Sequence, residues 1–343
     1  MPAPIYTILS AVQPYYPPLR WTIAAITTLT ILLLTHYIVR YHRHKRQWRA
    51  QFTEPSLISN HSQLTTVRGK PLRTLFIEHE QGREVPLFFF IHGAGSSMAA
   101  WELQLTQLQV VANILAVDLV GYGGSARPSA WEPYTTASLL QDLRSVLARY
   151  GEYKLVIVGH SYGYCLATKL YPLVRDRVVG MVFVAPGDVT YAPHVTRLLQ
   201  LPDWGVNLLR LLDRYGGINS TSVRRMLSPS ASRHLKEQQL YWNEQSRTDV
   251  FRRVMLGMDW ICQDDLRALT CPLLLLPGEF DLIHPVPCSY AIKECVATSN
   301  VSIVVAHQAG HQVMLEKPEL TNNEILRFVG EQCGFPTFTN FVV

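Results

Sequence analysis

The chain has 343 residues, of which 48% are hydrophobic, so its composition excludes a disordered or fibrous protein and provides material for a large buried core. Its net charge is +5, but the first 50 residues hold six Lys and Arg and no acid, which leaves a net charge of −1 on the other 293 residues. This nearly neutral part lacks the basic face that nucleic-acid phosphates require, so nucleic acid is excluded as a partner.

The first predicted element is a membrane-spanning helix. Nineteen residues from Trp21 to Val39 carry no formal charge, and a helix needs about 20 apolar residues to cross a bilayer. The five threonines in this segment are tolerated because their hydroxyls can donate hydrogen bonds to helix carbonyls. The basic segment 40–46 follows directly, whereas a signal peptide has its basic residues before a shorter apolar run. We therefore assign residues 1–50 to a single-pass anchor and its basic flank.

The position of the basic residues also predicts the topology. Lys and Arg collect on the cytoplasmic side of membrane helices, so we expect a single-pass membrane protein in which the large domain that follows the helix lies in the cytosol. Because nothing before Arg20 is basic, the endoplasmic reticulum is favoured over a mitochondrial membrane. The three glycosylation sequons, at Asn60, Asn219 and Asn300, should then remain unmodified.

The six cysteines are scattered along the chain, and no pair has the two-residue spacing of a zinc site or a thioredoxin-like centre. This usage indicates reduced thiols in a reducing compartment. We expect neither a metal nor a cofactor.

Residues 51–63 are polar and are predicted to form a stalk, and residues 64–343 are predicted to form one α/β domain. Short apolar runs bounded by Gly, Pro or Asp indicate buried strands, and stretches with helical spacing lie between several of them. This alternation favours a mostly parallel sheet with helices on both faces. The predicted strands are 73–77, 86–91, 114–117, 154–158, 178–184, 272–276 and 301–305, and the predicted helices include 138–150 and 164–174.

The strand at 86–91 leads into a loop of small residues, 92–97. Small residues let backbone N–H groups approach a substrate carbonyl that becomes an oxyanion. The predicted donors are the N–H of Ala94 and the N–H of Tyr162, which follows the candidate nucleophile. A loop that only turns the chain is the alternative. The glycine-rich segment 118–125 offers no nucleophile or base and is predicted to be structural.

The motif Gly-His-Ser-Tyr-Gly at 159–163 provides the candidate nucleophile, Ser161. It stands between a predicted strand and a predicted helix, and such a sharp turn holds the serine in strained backbone geometry. The two glycines remove side chains that would collide there. The serine hydroxyl then lies at the positive end of a helix, which favours developing negative charge. A structural serine in a Gly-rich turn is the alternative.

One interval is several times longer than a normal crossover. About 85 residues separate the strand that ends near Ala185 from the strand that begins at Pro272. Leu, Trp and Met recur in this interval at helical spacings. We predict that an insert at about 187–268 forms a helical cap over the edge of the sheet.

A serine nucleophile needs a base, and the base needs an orienting acid. Asp281 and His311 each follow a predicted strand, and the order serine, acid, histidine is the one that this architecture uses. Asp188 and Glu279 are the rival acids. His160 and His284 flank the site and are predicted to be structural.

These segments together resemble the α/β-hydrolase superfamily, and within it the abhydrolase-domain group of capped serine hydrolases. The resemblance rests on the His-Gly-Ala-Gly loop, the 118–125 turn, the elbow at 159–163, the acid loop and the Gly-His-x-x-x-x-Glu-x-Pro segment at 310–318, and it covers about residues 64–330. It implies Ser161, Asp281 and His311 as a triad that acts through an acyl-enzyme. It also implies that the cap is a lid that shapes substrate choice.

Two features refine the resemblance. Some lipid-acting relatives carry a His-x-x-x-x-Asp signature associated with acyl transfer to lysophospholipids, whereas this chain has Glu316 five residues after His311. Glu316 therefore favours hydrolysis. Epoxide hydrolases and dehalogenases of this fold use Asp as the nucleophile, and Ser161 argues against both.

The leading hypothesis is a membrane-anchored serine hydrolase that cleaves a carboxylic ester. The anchor and the Leu/Trp-rich cap favour a lipid-like ester, such as an acylglycerol or a lysophospholipid. The alternatives are a hydrolase of small soluble esters or lactones, a non-catalytic binding protein of the same fold, and a lysophospholipid acyltransferase. Reaction with an active-serine probe would distinguish the catalytic hypotheses from a non-catalytic binding protein.

Overall fold

A computed structural model of the chain describes residues 19–187, 198–336 and 338. The chain divides into two units, Met1–Thr53 and Glu54–Val343. The rival acid Asp188 lies outside the described residues.

The first unit contains helix α1, Leu19–Gln51. Its segment Trp21–Arg40 is long and apolar enough to cross a membrane, a test of length and composition that a signal sequence also passes. The hydroxyl of Thr27 donates to the carbonyl of Ile23 at 2.8 Å, and the hydroxyl of Thr30 makes the same contact one turn further on. At these two of the five threonines, the hydroxyl bonds a helix carbonyl as predicted.

The second unit is built on an eight-stranded sheet with the order β1-β2-β4-β3-β5-β6-β7-β8. Strand β2 runs antiparallel to β1 and β4, and the remaining pairs are parallel. This arrangement confirms the predicted α/β class. The strands are β1 Ser62–Val67, β2 Lys70–Ile77, β3 Leu87–Ile91, β4 Asn113–Val117, β5 Leu155–His160, β6 Val178–Val184, β7 Leu273–Leu276 and β8 Val301–Ile303.

The seven predicted strands are all present, and their ends differ from the prediction by at most three residues. Strand β1 was not predicted, because it is mostly polar and lies at the edge of the sheet, where several of its side chains are exposed. A tight turn joins it to β2, with Arg68 at φ 47° and Gly69 at φ 75°. Two consecutive residues in the left-handed region are typical of a two-residue hairpin turn.

Apolar cores lie on both faces of the sheet. In β3, Leu87, Phe89 and Ile91 pack into one core and Phe88 and Phe90 into the other, as side chains that alternate along a strand must. All five are fully buried, which explains why this strand reads as an unbroken apolar run. The helices of this unit outside the cap are α2 Ser56–His61, α3 Glu102–Leu108, α4 Thr136–Leu147, α5 Tyr162–Val174, α10 Gln263–Arg267, α11 Val286–Cys295, α12 Val313–Glu316 and α13 Pro318–Gln332.

The predicted stalk, residues 51–63, differs from the structure. Helix α2 lies within it and packs against α3 and β2, and its Ile58 is fully buried in the core. The folded unit therefore begins at residue 54. The sequence did not predict this helix, because Ile58 is its only buried residue and the segment has no apolar repeat.

The insert between β6 and β7 is helical in its described residues, with α6 Asp203–Tyr215, α7 Thr221–Arg224, α8 Arg233–Gln245 and α9 Thr248–Gly257. We call the described segment 198–257, which contains these four helices, the cap. Helix α10 also falls within the predicted insert, but it contacts α5 and α11. Lys169 of α5 forms an ion pair with Asp265 of α10 at 2.8 Å. The cap is thus shorter at its carboxyl end than the predicted boundary at 268.

Candidate active site

Ser161 stands between β5 and α5 in a strained backbone conformation. Its φ of 51° and ψ of −119° put a non-glycine residue in a sparsely populated region. Such strain costs on the order of 1–3 kcal/mol and persists only where the surrounding structure enforces it. The strained conformation of Ser161 therefore lowers the stability of the fold, while it positions this one side chain.

Close backbone packing enforces the turn. A Cβ atom on Gly163 would lie 2.2 Å from the carbonyl oxygen of Ile91, and one on Gly159 would lie 2.7 Å from the carbonyl oxygen of Gly163. Neither position has room for a side chain, as the sequence predicted. Ser161 thus packs directly beside the end of β3, where the predicted oxyanion loop begins.

The predicted acid and base are in direct contact. Nδ1 of His311 lies 2.8 Å from Oδ2 of Asp281, and both side chains are almost completely buried. The other carboxylate oxygen of Asp281 accepts the backbone N–H groups of Ile283 and His284 at 2.8 and 2.9 Å. Burial alone would raise the pKa of Asp281, but the charge and hydrogen bond of His311 and the N–H of His284 outweigh it and lower that pKa. Asp281 is therefore an ionised, fully bonded partner for His311.

Ser161 and His311 both line one cavity. Among the described residues, Ser161 Oγ has no hydrogen-bond partner, so its hydroxyl is not committed to another group. Hydrogen bonds between a nucleophile and its base are often long in a free enzyme and tighten when substrate binds. The structure thus brings the three predicted triad residues to one edge of the sheet.

Two further histidines flank His311. The ring centroid of His160 lies 4.9 Å from that of His311. The ring centroid of His284 lies 5.1 Å from that of His311, in an edge-to-face arrangement. His160 Nε2 bonds the carbonyl of His311 at 2.9 Å, and His284 Nδ1 bonds the carbonyl of Ala185 at 2.7 Å. Burial lowers the pKa of His160 to about 3 and that of His284 to about 4. Both rings therefore stay neutral near pH 7 and hold the base in position.

Rival acid Glu279 lies elsewhere. Its carboxylate is exposed, accepts the N–H of Gln308 at 2.9 Å and lies 3.5 Å from His307. It has no described contact with His311, which makes Asp281 the better candidate of these two.

One predicted oxyanion donor belongs to the loop after β3, and the other directly follows Ser161. Ala94 lines the cavity, and Tyr162 is the first residue of α5, where a backbone N–H has no partner within the helix. The loop that carries Ala94 is held by buried His92, whose Nδ1 bonds the carbonyl of Gly93 at 2.8 Å and whose Nε2 accepts the N–H of Leu119 at 3.0 Å. Burial lowers the pKa of His92 to about 4, so this link is between neutral groups.

The 118–125 turn supports the same loop. Buried Asp118 accepts the N–H of Met98 at 2.7 Å and the N–H of Gly124 at 2.9 Å. Burial raises its pKa to about 6. These bonds agree with the structural role predicted for this segment.

Glu316 links the histidine loop to the cap. One of its carboxylate oxygens accepts the N–H of Gly310 at 2.8 Å, and the other accepts the N–H of Ser228 at 2.9 Å. Gly310 immediately precedes His311, and Ser228 belongs to the cap segment between α7 and α8. The sequence singled out Glu316 only by its spacing from His311, and its contact with the cap was not predicted.

The cavity between the sheet edge and the cap has a volume of about 420 Å³. The sheet side contributes the elbow, the histidine and the small-residue loop, and the cap side contributes apolar residues, as predicted. The cap also contributes charged and amide side chains that sequence reasoning missed. The apolar cap residues in the wall are Leu198, Leu199, Val206, Leu209, Met226, Trp242, Phe251 and Met255, and the charged and amide ones are Arg210, Asp213, Arg214, Arg225, Gln239 and Asn243.

The sequence held one indication of these charged residues. Arg210 and Arg214 have i, i+4 spacing, which puts both side chains on one face of α6. No group of three or more His, Cys, Asp or Glu in the described residues is arranged to hold a metal ion.

Residues 88–324 match the family described as "Alpha/beta hydrolase family". The relatives include Protein ABHD8 of Mus musculus, 28% identical over 271 residues, which cover 76% of this chain and 60% of that protein. An abhydrolase domain-containing protein of Schizosaccharomyces pombe is 25% identical, over 71% of this chain and 70% of its own length. Epoxide hydrolase 3 of Mus musculus is 27% identical, over 78% of this chain and 77% of that protein. The chain spans less than two thirds of the length of the ABHD8 proteins that it matches.

Solved structures share the fold. MGS-M2, an α/β hydrolase enzyme from a Medee basin deep-sea metagenome library, superposes with a TM-score of 0.66 at 18% identity, over 79% of this chain and 98% of its own. A putative aryl esterase from Burkholderia cenocepacia superposes with a TM-score of 0.63 at 23% identity, over 78% of this chain and 97% of its own.

Proposed function

The chain belongs to the α/β hydrolase family, and on that premise we propose that it is a membrane-anchored serine hydrolase that cleaves a carboxylic ester. One observation carries the proposal. The buried 2.8 Å contact between His311 and Asp281 stands beside the strained Ser161, and Ser161 and His311 line the same cavity. This is the arrangement in which a serine hydroxyl becomes a nucleophile.

The tautomer of His311 follows from its contact with Asp281. Nδ1 donates its proton to the ionised carboxylate, so Nε2 has a lone pair for the hydroxyl proton of Ser161. As Ser161 Oγ bonds to the ester carbonyl carbon, His311 Nε2 takes that proton. The positive imidazolium is stabilised by Asp281, which remains a carboxylate.

The carbonyl oxygen gains the negative charge that the reaction develops. The N–H groups of Ala94 and Tyr162 are the proposed donors to it. When the tetrahedral intermediate collapses, the bond to the alcohol oxygen breaks, and His311 gives its proton to that oxygen. Water then repeats the sequence on the acyl-enzyme, with His311 as the base, and releases the carboxylic acid and free Ser161.

A lipid-like ester is the proposed substrate class, an acylglycerol or a lysophospholipid. The cavity has about 420 Å³ of space, and Leu, Val, Met, Trp and Phe side chains of the cap line it. An acyl chain gains about 0.8 kcal/mol for each CH₂ that such a wall removes from water. A spanning helix at Trp21–Arg40 would also keep the enzyme at high local concentration of a membrane substrate.

The proposed organisation has residues 1–50 as an anchor with a basic cytosolic flank, and the hydrolase domain in the cytosol at the endoplasmic reticulum. Asn60, Asn219 and Asn300 are exposed, so each would be an acceptor in the lumen. Expression of the full chain, followed by endoglycosidase treatment, tests the orientation. No mobility shift is expected, and a shift would contradict the cytosolic placement.

The test of the activity is labelling by a fluorophosphonate probe in fractionated membranes that contain the full chain. The wild-type protein should be labelled in the membrane pellet, whereas Ser161→Ala and His311→Ala should not be. Ser246→Ala is the matched control, because Ser246 lines the same cavity from the cap. An unlabelled wild-type protein, or labelling that Ser161→Ala retains, would overturn the proposal.

A further inference from the structure

The cap side of the active-site cavity carries an excess of positive charge. Arg210, Arg214 and Arg225 line it, against the single carboxylate of Asp213 among the described lining residues. An apolar acyl chain needs no cation in its binding site, and a charge near a low-dielectric wall is costly unless it is paired. The hydrogen-bond and ion-pair partners of each arginine indicate which of them could bind an anionic substrate.

Arg210 is half-buried and bonded to neutral oxygens. Its guanidinium donates to the hydroxyl of Thr248 at 2.7 Å and to the carbonyls of Asn243 and Ser246 at 3.2 and 2.9 Å. It also lies over the ring of Phe251, 5.5 Å from the centroid. Within the described residues, Arg210 has no carboxylate at ion-pair distance. The guanidinium is thus held rigidly with its charge uncancelled by direct contact.

Two other arginines, Arg214 and Arg225, act electrostatically on Arg210. Burial, together with the charges of Arg214 and Arg225, lowers its pKa to about 10, partly against the charge of Glu244. Arg210 therefore remains protonated near pH 7. Arg214 is neutralised by Glu244, 3.1 Å away, and donates to the carbonyl of Asn243 at 2.6 Å.

Asp213 does not cancel the remaining charge by direct contact. Both of its carboxylate oxygens lie 3.3 Å from the N–H of Ser222, and the structure describes no ion pair that includes it. Its carboxylate is therefore oriented toward backbone and not toward a guanidinium.

Arg225 is the exposed member of the group. It lines the cavity, and in the described part of the chain its side chain has no hydrogen-bond or ion-pair partner. Its neighbour Arg224 is equally exposed but does not belong to the described wall of the cavity. The two residues thus form a natural pair, one facing the substrate space and the other facing solvent.

We propose that the cavity accepts an acyl ester that carries an anionic group, and that Arg225 binds that group, with Arg210 as the second guanidinium of the cavity wall that has no carboxylate at ion-pair distance among the described residues. The inference rests on the proposed function, because it names the substrate class of the same site. Guanidinium groups bind phosphate and carboxylate through paired N–H donors. The apolar residues of the cavity take the acyl chain, and Arg225 selects for the charged end of the molecule.

The experiment compares two esters that differ only in the anion, 1-oleoylglycerol and 1-oleoylglycerol 3-phosphate, presented to the full chain in neutral detergent micelles. Oleate release gives kcat/KM for each. The wild-type enzyme should prefer the phosphate-bearing ester. In Arg225→Gln the ratio of the two kcat/KM values should fall by about tenfold, the effect of one lost charged hydrogen-bonding contact. In Arg225→Glu it should fall further, and in Arg224→Gln it should stay at the wild-type value.

A second measurement does not depend on turnover. The Ser161→Ala protein should bind 1-oleoylglycerol 3-phosphate more tightly than 1-oleoylglycerol, and addition of Arg225→Gln should remove the difference. Equal binding of the two lipids, or an Arg225→Gln effect that is the same for both, would overturn the inference. Competition by free oleate or inorganic phosphate that depends on Arg225, without any preference between the esters, would also overturn it and indicate a site for a free anion. Absence of fluorophosphonate labelling in the wild-type protein is a separate result, which would contradict the proposed serine hydrolase activity and not the preference for an anionic ester.

Discussion

The loops at the carboxyl edge of the sheet and the helices of the cap face the same cavity, but they are built in different ways. On the sheet side, His311 and Asp281 are almost completely buried and each has a defined hydrogen-bond partner. On the cap side, Trp204 and Leu212 of α6 are 72% and 62% exposed, and Arg225 has no described partner. The first region fixes the position of the groups that we propose to react, whereas the second leaves charge and apolar surface available.

This difference separates two roles in the proposed enzyme. Groups that transfer protons must be held to within a fraction of an ångström, and the buried core beneath them supplies that rigidity. Substrate selection tolerates a more mobile wall and depends on its charge and shape. Substitutions on the sheet side should therefore affect every ester, whereas substitutions on the cap side should affect some esters more than others.

The largest effect is expected at the elbow. In Gly163→Ala the new Cβ would lie 2.2 Å from the carbonyl oxygen of Ile91. The start of α5 and the end of β3 cannot move apart to make room without disturbing the pairing of β3 with β5. We expect the free energy of unfolding to fall by more than about 3 kcal/mol and probe labelling to disappear. Denaturant unfolding in detergent, with labelling of the same samples, measures both.

Gly151→Ala is the control for this variant, because its Cβ would meet only the carbonyl oxygen of Ala148 at 3.9 Å. It should leave stability and labelling near the wild-type values. Normal stability and labelling of Gly163→Ala would contradict the tight packing of the elbow.

The next effect is on the acid. Asp281→Asn should lower kcat by roughly 10³- to 10⁴-fold at pH 7, because an amide does not enforce the histidine tautomer or stabilise the imidazolium. Steady-state hydrolysis of a chromogenic ester measures it. Glu279→Gln serves as the control, since Glu279 is exposed and contacts His307 and Gln308. The reverse pattern, with the larger loss in Glu279→Gln, would assign the acid to Glu279.

A smaller effect is expected where the two regions meet. Glu316→Gln replaces one of the two oxygens that accept the N–H groups of Gly310 and Ser228, so one buried donor loses its partner. The free energy of unfolding should fall by about 1–3 kcal/mol, and kcat/KM should fall for every ester because the loop of His311 loosens. Glu319→Gln, an exposed acid nearby, should change stability by less than about 0.5 kcal/mol. Equal stability of Glu316→Gln and wild type would refute this link.

The pH dependence of stability should also originate on the sheet side. The pKa of His284 is lowered to about 4 in the folded protein, from an ordinary value of 6.5. Between these two values the unfolded chain binds more protons, so the stabilisation present above pH 6.5 is lost progressively as the pH falls toward 4. His284→Asn should reduce the difference in unfolding free energy between pH 7 and pH 5 by about 1–2 kcal/mol.

His307 has a side chain that is 82% exposed and is the comparison for that measurement, in which His307→Gln should have a smaller effect than His284→Asn. An undiminished pH dependence in His284→Asn would show that His284 is not held neutral in the folded state.

The two regions also differ in how far the sequence predicted them. Parallel strands such as β3 and β5 are buried on both faces, so their apolar runs and the motifs at their ends identify the sheet and the loops that follow it. Ser161 and Asp281 follow buried strands, and His311 follows the half-buried edge strand β8, so the chain order of strands and motifs predicted that the three residues lie at one edge of the sheet.

The rest depended on contacts between distant parts of the chain. Strand β1 is stabilised by its pairing with β2 and not by an apolar pattern of its own. The neutrality of His160 and His284 arises from burial against His311, and the link from Glu316 to Ser228 joins residues far apart in sequence. The charge of the cap cavity was not predicted for the same reason, because Arg210 in α6 and Arg225 just after α7 line one cavity only in the folded cap.

The most direct test of the account is identification of the covalent intermediate. The full chain would be mixed with the p-nitrophenyl ester of a fatty acid, quenched in acid during the burst of p-nitrophenol, digested and examined by mass spectrometry. We predict a burst stoichiometric with enzyme and an acyl group on Ser161, both absent from Ser161→Ala. Ester turnover at the wild-type rate by Ser161→Ala, or an acyl group on another residue, would contradict the assignment of the sheet-edge loops as the catalytic region.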